Sequence, residues 1–352
     1  MSDTPKLLPE WEAQEAVILA WPDEQTDWAP WLESVEQTYI ELISAINEAG
    51  AGVVLLSRTE QIKRLSTLFG ENARVLLVEA DYNDTWVRDY GFLTCQANAY
   101  NQPVEFVFNG WGNKFTADKD NLINHLVLAR LCKHQLTSYN TVVEGGALEI
   151  DKHGHLLSTR FCLTNPERNG DMSLDQYKAL FSDAIGADKV TILANGHLEG
   201  DDTDGHIDTL VRFTPDNGLV IQSCFNRPED SHFEGLSALV EECRTSLEGH
   251  QIFELPLPMI KNSKDERLPA SYANYLICNQ HIIWPSYQQP EDALARKVLQ
   301  KAYPDFTLVA IDALPLIQQF GSIHCISMQV PMGTLKPTVV EQLNSGITHY
   351  VH

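Results

Sequence analysis

Positive charge is scarce in this chain. Its 352 residues include 48 Asp and Glu but only 25 Lys and Arg, a formal net charge of −23. A surface of that sign repels nucleic acid and anionic membrane, which argues against both as partners and favours small cations. Cysteine pairs are missing too. The seven cysteines, at 95, 132, 162, 224, 243, 278 and 325, are odd in number and form no CxxC spacing. That pattern fits neither a disulfide framework nor a zinc knuckle, and it suits the reducing cytoplasm. No uninterrupted apolar run reaches membrane-spanning length, and Met1 to Trp11 has no basic segment leading into an apolar core. Neither a membrane span nor a secretory signal is therefore expected. Metal signatures are equally thin. HExxH does not occur, and an EF-hand alignment of the acidic loop would put Gly200 and Val211 on ligand positions. The reading is of an enzyme without metal or cofactor.

Short apolar runs alternate with helical patterns from end to end. Ala16–Trp21, Gly52–Leu56 and Arg74–Val78 read as strands, Ser34–Glu48 as a helix with Ser34 as N-cap, and Glu60–Leu68 as another helix. The alternation returns at 104–136, 173–193, 218–255 and 274–311, with no low-complexity linker between. This predicts a single α/β domain over 1–352; periodicity does not decide between an open sheet and a closed ring.

Polar, glycine-containing segments fill the gaps after strands, where loops carry chemistry on a rigid scaffold. The densest is Gly200-Asp201-Asp202-Thr203-Asp204-Gly205-His206-Ile207-Asp208, four carboxylates and an imidazole before the apolar run Thr209–Phe213. A solvated acidic turn is the bland reading; a poised acid/base beside a cation site is the functional one. Asn83-Asp84-Thr85-Trp86-Val87-Arg88-Asp89-Tyr90-Gly91 offers an aromatic face and a carboxylate, a pairing suited to a planar cation. Asn109-Gly110-Trp111-Gly112 and Glu144-Gly145-Gly146 allow backbone to approach a ligand, although each reads equally well as an ordinary turn or core. In Gly321-Ser322-Ile323-His324-Cys325, Cys325 follows a small-residue turn and is a candidate nucleophile. On a strand His324 would point to the opposite face, so His206 is the better base. One reaction uses all these parts: aspartates grip a flat guanidinium, a thiolate attacks its carbon, and a histidine protonates the departing ammonia.

With those segments in order along nearly the whole chain, together with Leu268–Tyr275, the sequence resembles the agmatine deiminase family, related to bacterial peptidylarginine deiminases. The resemblance implies a five-bladed, pseudo-fivefold α/β propeller (pentein) of ββαβ units and a cytoplasmic enzyme of polyamine (putrescine) biosynthesis. It implies Cys325 as nucleophile, His206 as general acid/base, and Asp89 and Asp208 as the guanidinium clamp. Trp86, Asp202, Asp204, Asn274, Trp111 and Glu144 follow as substrate-binding positions. Ser322 stands where the family often has glycine, and Trp21-Pro22 leads into Asp23-Glu24 where basic residues often follow. The implied reaction converts agmatine to N-carbamoylputrescine and ammonia through a cysteine thiouronium, with a small cationic guanidinium compound as partner and room for a homodimer. Three alternatives stay open: an arginine or peptidylarginine deiminase using the same site, a metal-dependent hydrolase built on His206 and the acidic cluster, and a non-catalytic polyamine-binding protein.

Overall fold

Gly52–Ser57, buried at every position, forms a central strand of a largely parallel sheet, as its β-branched and leucine run requires. Gln14–Ala20 and Val75–Glu79 flank it in parallel register. Met328–Pro331 pairs antiparallel with Gln14–Ala20, and Thr348–Tyr350 runs parallel to Val75–Glu79. In this computed structural model, which describes residues 4–70 and 72–350, the contacts gather into two units. The first comprises Met1–Gly145, Ile277–Asn279 and Cys325–His352; the second comprises Gly146–Leu276 and Gln280–His324.

In the first unit, helix Leu32–Glu48 buries Val35, Tyr39, Leu42 and Ile46, one apolar stripe at helical spacing. It starts earlier than Ser34 predicts, because the 3-10 turn Ala29–Trp31 leads straight into it. Ser34 then lies inside the first turn, and its hydroxyl donates to the Trp31 carbonyl instead of capping. A second sheet orders Lys6–Leu7, Leu93–Ala97, Tyr100–Val107 and Thr137–Val142.

The second unit repeats one device: an antiparallel pair, a helix, then a strand parallel to the second of the pair. Glu149–Ile150 and His155–Thr159 lead through helix Leu174–Ile185 to Lys189–Leu193. That helix opens on a Ser173–Gln176 capping box and closes on Gly186 in the left-handed region. Val211–Phe213 and Gly218–Gln222 lead through helix Phe233–Ser246 to Gln251–Leu255. His281–Ser286, helix Asp292–Ala302 and Thr307–Asp312 repeat the parallel half. The strand expected at Thr209–Phe213 is shorter, since Ile207–Thr209 winds into a 3-10 turn before Val211. Among the described residues the strands fall into five sheets, and no helix is long and apolar enough to cross a membrane. All seven cysteines are buried free thiols.

Candidate active site

In the first unit a four-residue helix, Val87–Tyr90, is the hub. It is wholly buried, and contacts from it reach the segments of Cys325, Gly145 and Trp111. The Arg88 amide donates to the Cys325 carbonyl at 3.2 Å. A Cβ on Gly145 would stand 2.1 Å from the Arg88 carbonyl oxygen. The glycine of Glu144-Gly145-Gly146 is thus needed for close approach of chain to chain, where the sequence suggested approach to a ligand. The Asp89 carboxylate accepts the Trp111 indole N–H at 2.9 Å. Asp89, Glu144 and Cys325 are all buried, at 5%, 1% and 8% exposure.

Trp111 owes its position to unusual backbone. Gly110, Trp111, Gly112 and Asn113 all have positive φ, between 56° and 77°, one turn of left-handed helix. Such geometry costs about 1–2 kcal/mol for a side-chain-bearing residue. The Asn109 side chain offsets part of that cost by accepting the Gly112 amide at 2.9 Å. A Cβ at Gly110 would meet the Phe115 carbonyl oxygen at 2.1 Å, so the Asn-Gly-Trp-Gly sequence is dictated by the turn. Strain of this kind collects where a side chain must be aimed. Trp111→Phe keeps the ring and removes the donor; kcat/KM is expected to fall about tenfold, the worth of one hydrogen bond to a charged group. Steady-state kinetics with unchanged kcat/KM would remove Trp111 from the machinery.

Trp86 is held in a similar way: its indole donates to Asp84 at 3.1 Å and its ring lies 5.3 Å from Trp28. Burial pushes the Asp84 carboxyl up to about 7. Arg88 is structural, with Gln329 at 2.7 Å from one terminal nitrogen and Glu10 at 3.9 Å from the other.

The second unit holds the acidic loop. Asp201 accepts the Thr203 amide and hydroxyl at 3.0 and 2.7 Å and also the Gly205 amide, which folds the loop on itself. Asp204, at φ 67°, gives Oδ2 to Arg168 at 2.6 Å and to the Asn165 amide at 2.7 Å. Carboxylates engaged in this way are poor metal donors. Asp202 is half-buried in the same loop. Asp204→Ala strands the buried Arg168 cation and is expected to cost about 3 kcal/mol in urea unfolding while leaving KM unchanged. A raised KM at unchanged stability would restore Asp204 as a substrate contact.

His206 and Asp208 are buried at 1% and 0% exposure. The Cys162 sulfur and a His206 ring nitrogen lie within 4.8 Å of one another. Asp208 Oδ2 receives His324 Nδ1 at 2.7 Å. His324 is not on the strand assumed from sequence; residues 323–326 form turns, and the ring points at Asp208. Its amide donates to Asn274, to the carbonyl at 3.2 Å and the side-chain oxygen at 3.1 Å, so Asn274 anchors this turn. Arg212 is fully buried, paired with Glu149 at 2.8 Å, and donates to the Ala273 and Tyr275 carbonyls. Burial pushes the Asp208 carboxyl up, but the His324 hydrogen bond and the charges of His324, His206 and Arg212 pull harder. It ends below its ordinary value. Cys162, Arg168 and His324 were not assigned from sequence; the adjacency of His324 to Cys325 was the visible signal for the last.

Buried Cys325, His206, Asp89 and Asp208 are side chains of the kinds that a guanidine-modifying hydrolase uses. The sequence profile of the Porphyromonas-type peptidyl-arginine deiminases matches residues 6–331, and the chain belongs to that family, whose members cleave C–N bonds of linear amidines. A Vibrio parahaemolyticus protein assigned by name as an agmatine deiminase is 31% identical over 92% of this chain and 95% of its own. Among solved structures, a cysteine-to-serine variant of C. jejuni agmatine deiminase with substrate bound superposes with TM-score 0.86 at 31% identity, covering 94% of this chain and 97% of that one. An arginine deiminase assigned in Porphyromonas gingivalis gives TM-score 0.86 at 36% identity, over 94% and 99% of the two chains. The α/β fold is the one these deiminases share.

Proposed function

We propose that this enzyme hydrolyses agmatine to N-carbamoylputrescine and ammonia. The observation that carries the reading is Asp208: a fully buried carboxylate, held anionic, with Oδ2 taken by His324 and with no donor to Oδ1 among the described residues. A buried anion with an open oxygen calls for a cationic N–H donor, and a guanidinium supplies several in one plane. Asp89 is the second carboxylate of the clamp, and Trp86 is the stacking face.

In the first half-reaction the Cys325 thiolate adds to the central guanidinium carbon. The C–N bond then breaks, and ammonia leaves with a proton from His206. In the second, His206 takes a proton from water, the oxygen adds to the thiouronium carbon, and the C–S bond breaks to release the thiolate and the ureido product, whose remaining hydroxyl proton passes to solvent and converts the released ammonia to ammonium. No redox partner is needed.

Agmatine is favoured over arginine because Arg88 and Arg212, the arginines of the motif segments, are committed to Gln329, Glu10, Glu149 and backbone carbonyls. An arginine substrate would need a cation for its carboxylate. Five sheets and the recurring antiparallel-pair, helix, parallel-strand order support reading them as the blades of a five-bladed propeller, with 1–352 acting as one catalytic domain. Seven cysteines outside any disulfide support a cytoplasmic setting. Ammonia release from agmatine, free arginine and a peptidyl-arginine, each with and without chelator, tests the assignment. Turnover of peptidyl-arginine alone, or loss of activity with chelator, overturns it.

A further inference from the structure

His324 exchanges no proton in the proposed reaction, yet it hydrogen-bonds the Asp208 carboxylate, 2.7 Å from Nδ1 to Oδ2, with both side chains out of solvent. We propose that His324 is a positioning residue: by donating to Oδ2 it fixes the Asp208 carboxylate in one orientation and reserves Oδ1 for a guanidinium N–H. The inference rests on Asp208 being part of the guanidinium clamp.

Three observations carry it. First, the ring is itself anchored, because the His324 amide is held by both oxygens of Asn274; the turn, and not only the side chain, sets where the imidazole points. Second, the carboxylate sits on a fixed base. Asp208 lies in the 3-10 turn Ile207–Thr209 that runs into strand Val211–Phe213, and Arg212 on that strand is clamped by Glu149 and two carbonyls. Third, Oδ1 is buried and meets no hydrogen-bond donor among the described residues. A carboxylate in such surroundings without a fixed donor on one oxygen would rotate about its last torsion or take up a proton. With the donor in place the Nδ1–H tautomer of His324 is selected, and the free lone pairs stay aimed.

The charged and titratable groups facing Asp208 within this unit are His324 from the turn before Cys325, His206 from its own loop, and Arg212 from the following strand, with Glu149 behind Arg212. Removing His324 takes away the nearest of the groups that hold Asp208 down, so its carboxyl must titrate at higher pH. Anionic Asp208 exists only above that point, and the acid limb of the rate profile moves upward with it.

The test compares wild type, His324→Ala and His324→Asn in the full chain, using whichever guanidine compound the wild type turns over, with kcat/KM followed against pH. Asparagine keeps an N–H where Nδ1 stood; alanine does not. His324→Ala is expected to lose about 100-fold in kcat/KM, as for a misaimed reacting group, with KM rising and the acid limb shifted to higher pH. His324→Asn is expected to recover to within about tenfold of wild type. Cys325 alkylation by iodoacetamide, without substrate, should run at the same rate in all three, since the turn is held by the backbone bonds to Asn274. A profile for His324→Ala that superposes on wild type overturns the proposal. So does a uniform loss that asparagine does not repair, or a loss tracking slowed alkylation, since either means that His324 merely shapes the turn. Lack of any turnover of agmatine by wild type would instead count against the agmatine assignment, and the comparison then proceeds on the guanidine that is accepted.

Discussion

Cys325→Ala is expected to release no ammonia from agmatine above background, a loss on the order of 10⁴-fold or more in kcat, while wild-type activity survives excess chelator. The size follows from the role. A nucleophile that forms the covalent intermediate has no substitute in the site, and water must otherwise attack a resonance-stabilised cation directly. Agmatine should still bind to the alanine variant, because the carboxylates and aromatic faces assigned to holding it are untouched, and calorimetry should show a dissociation constant near the wild-type KM. Two further readouts separate this from a folding defect. The wild type quenched in acid during turnover should carry a mass adduct on the Cys325 peptide, and thiolate absorbance should titrate at lower pH with a guanidinium ligand bound. The second expectation comes from sign alone: carboxylates beside a thiol disfavour its anion, and a bound cation reverses that. Retained ammonia release by Cys325→Ala, or its loss on chelation, would return the acidic cluster and His206 to the metal-dependent reading.

Much of the proposed site could be read from sequence because its residues come in short local blocks. Asp89 and Trp86 share one segment, His206 and Asp208 another, and each block tells its chemistry before any fold is known. What sequence could not give is pairing between blocks. Asp208 and His324 are separated by 116 positions. Assigning His324 away from the chemistry followed from a strand's two-residue period, which does not apply to a turn. The acidic loop shows the same limit. Its four carboxylates crowd together in sequence, but Asp201 and Asp204 spend their oxygens on Thr203, Gly205, Arg168 and Asn165, because a loop with positive φ at Asp204 and Gly205 needs its amides satisfied. Glycines told the same lesson. Gly110 and Gly145 are required by backbone oxygens of Phe115 and Arg88, contacts no spacing rule contains. The frame was clearer: buried runs such as Gly52–Ser57 have few alternatives to a strand, whereas helix starts depend on neighbours, as Ser34 shows.

Asp208→Asn is expected to cost more than the loss of one charge, and the reason is the bond to His324. His324 Nδ1–H must find an acceptor, so the amide of Asn at 208 turns its oxygen to the imidazole and its NH₂ outward to where the substrate's N–H groups arrive. Donor then faces donor inside a buried site, and the guanidinium loses a charge-assisted bond while gaining a repulsion. Breaking a buried ion pair costs about 3–5 kcal/mol, which corresponds to a fall of roughly 10²- to 10⁴-fold in kcat/KM. Asp89→Asn should behave alike, because the Trp111 indole N–H fixes the amide oxygen there and again points NH₂ at the substrate. Adding Trp111→Phe to Asp89→Asn removes that constraint and lets the amide flip, so the double variant should be no worse, and better by a few-fold, than Asp89→Asn alone. Ordinary additivity predicts the reverse. Kinetics on the four proteins of that cycle decide between them, and wild-type kcat/KM in Asp208→Asn would end the assignment of that carboxylate to the clamp.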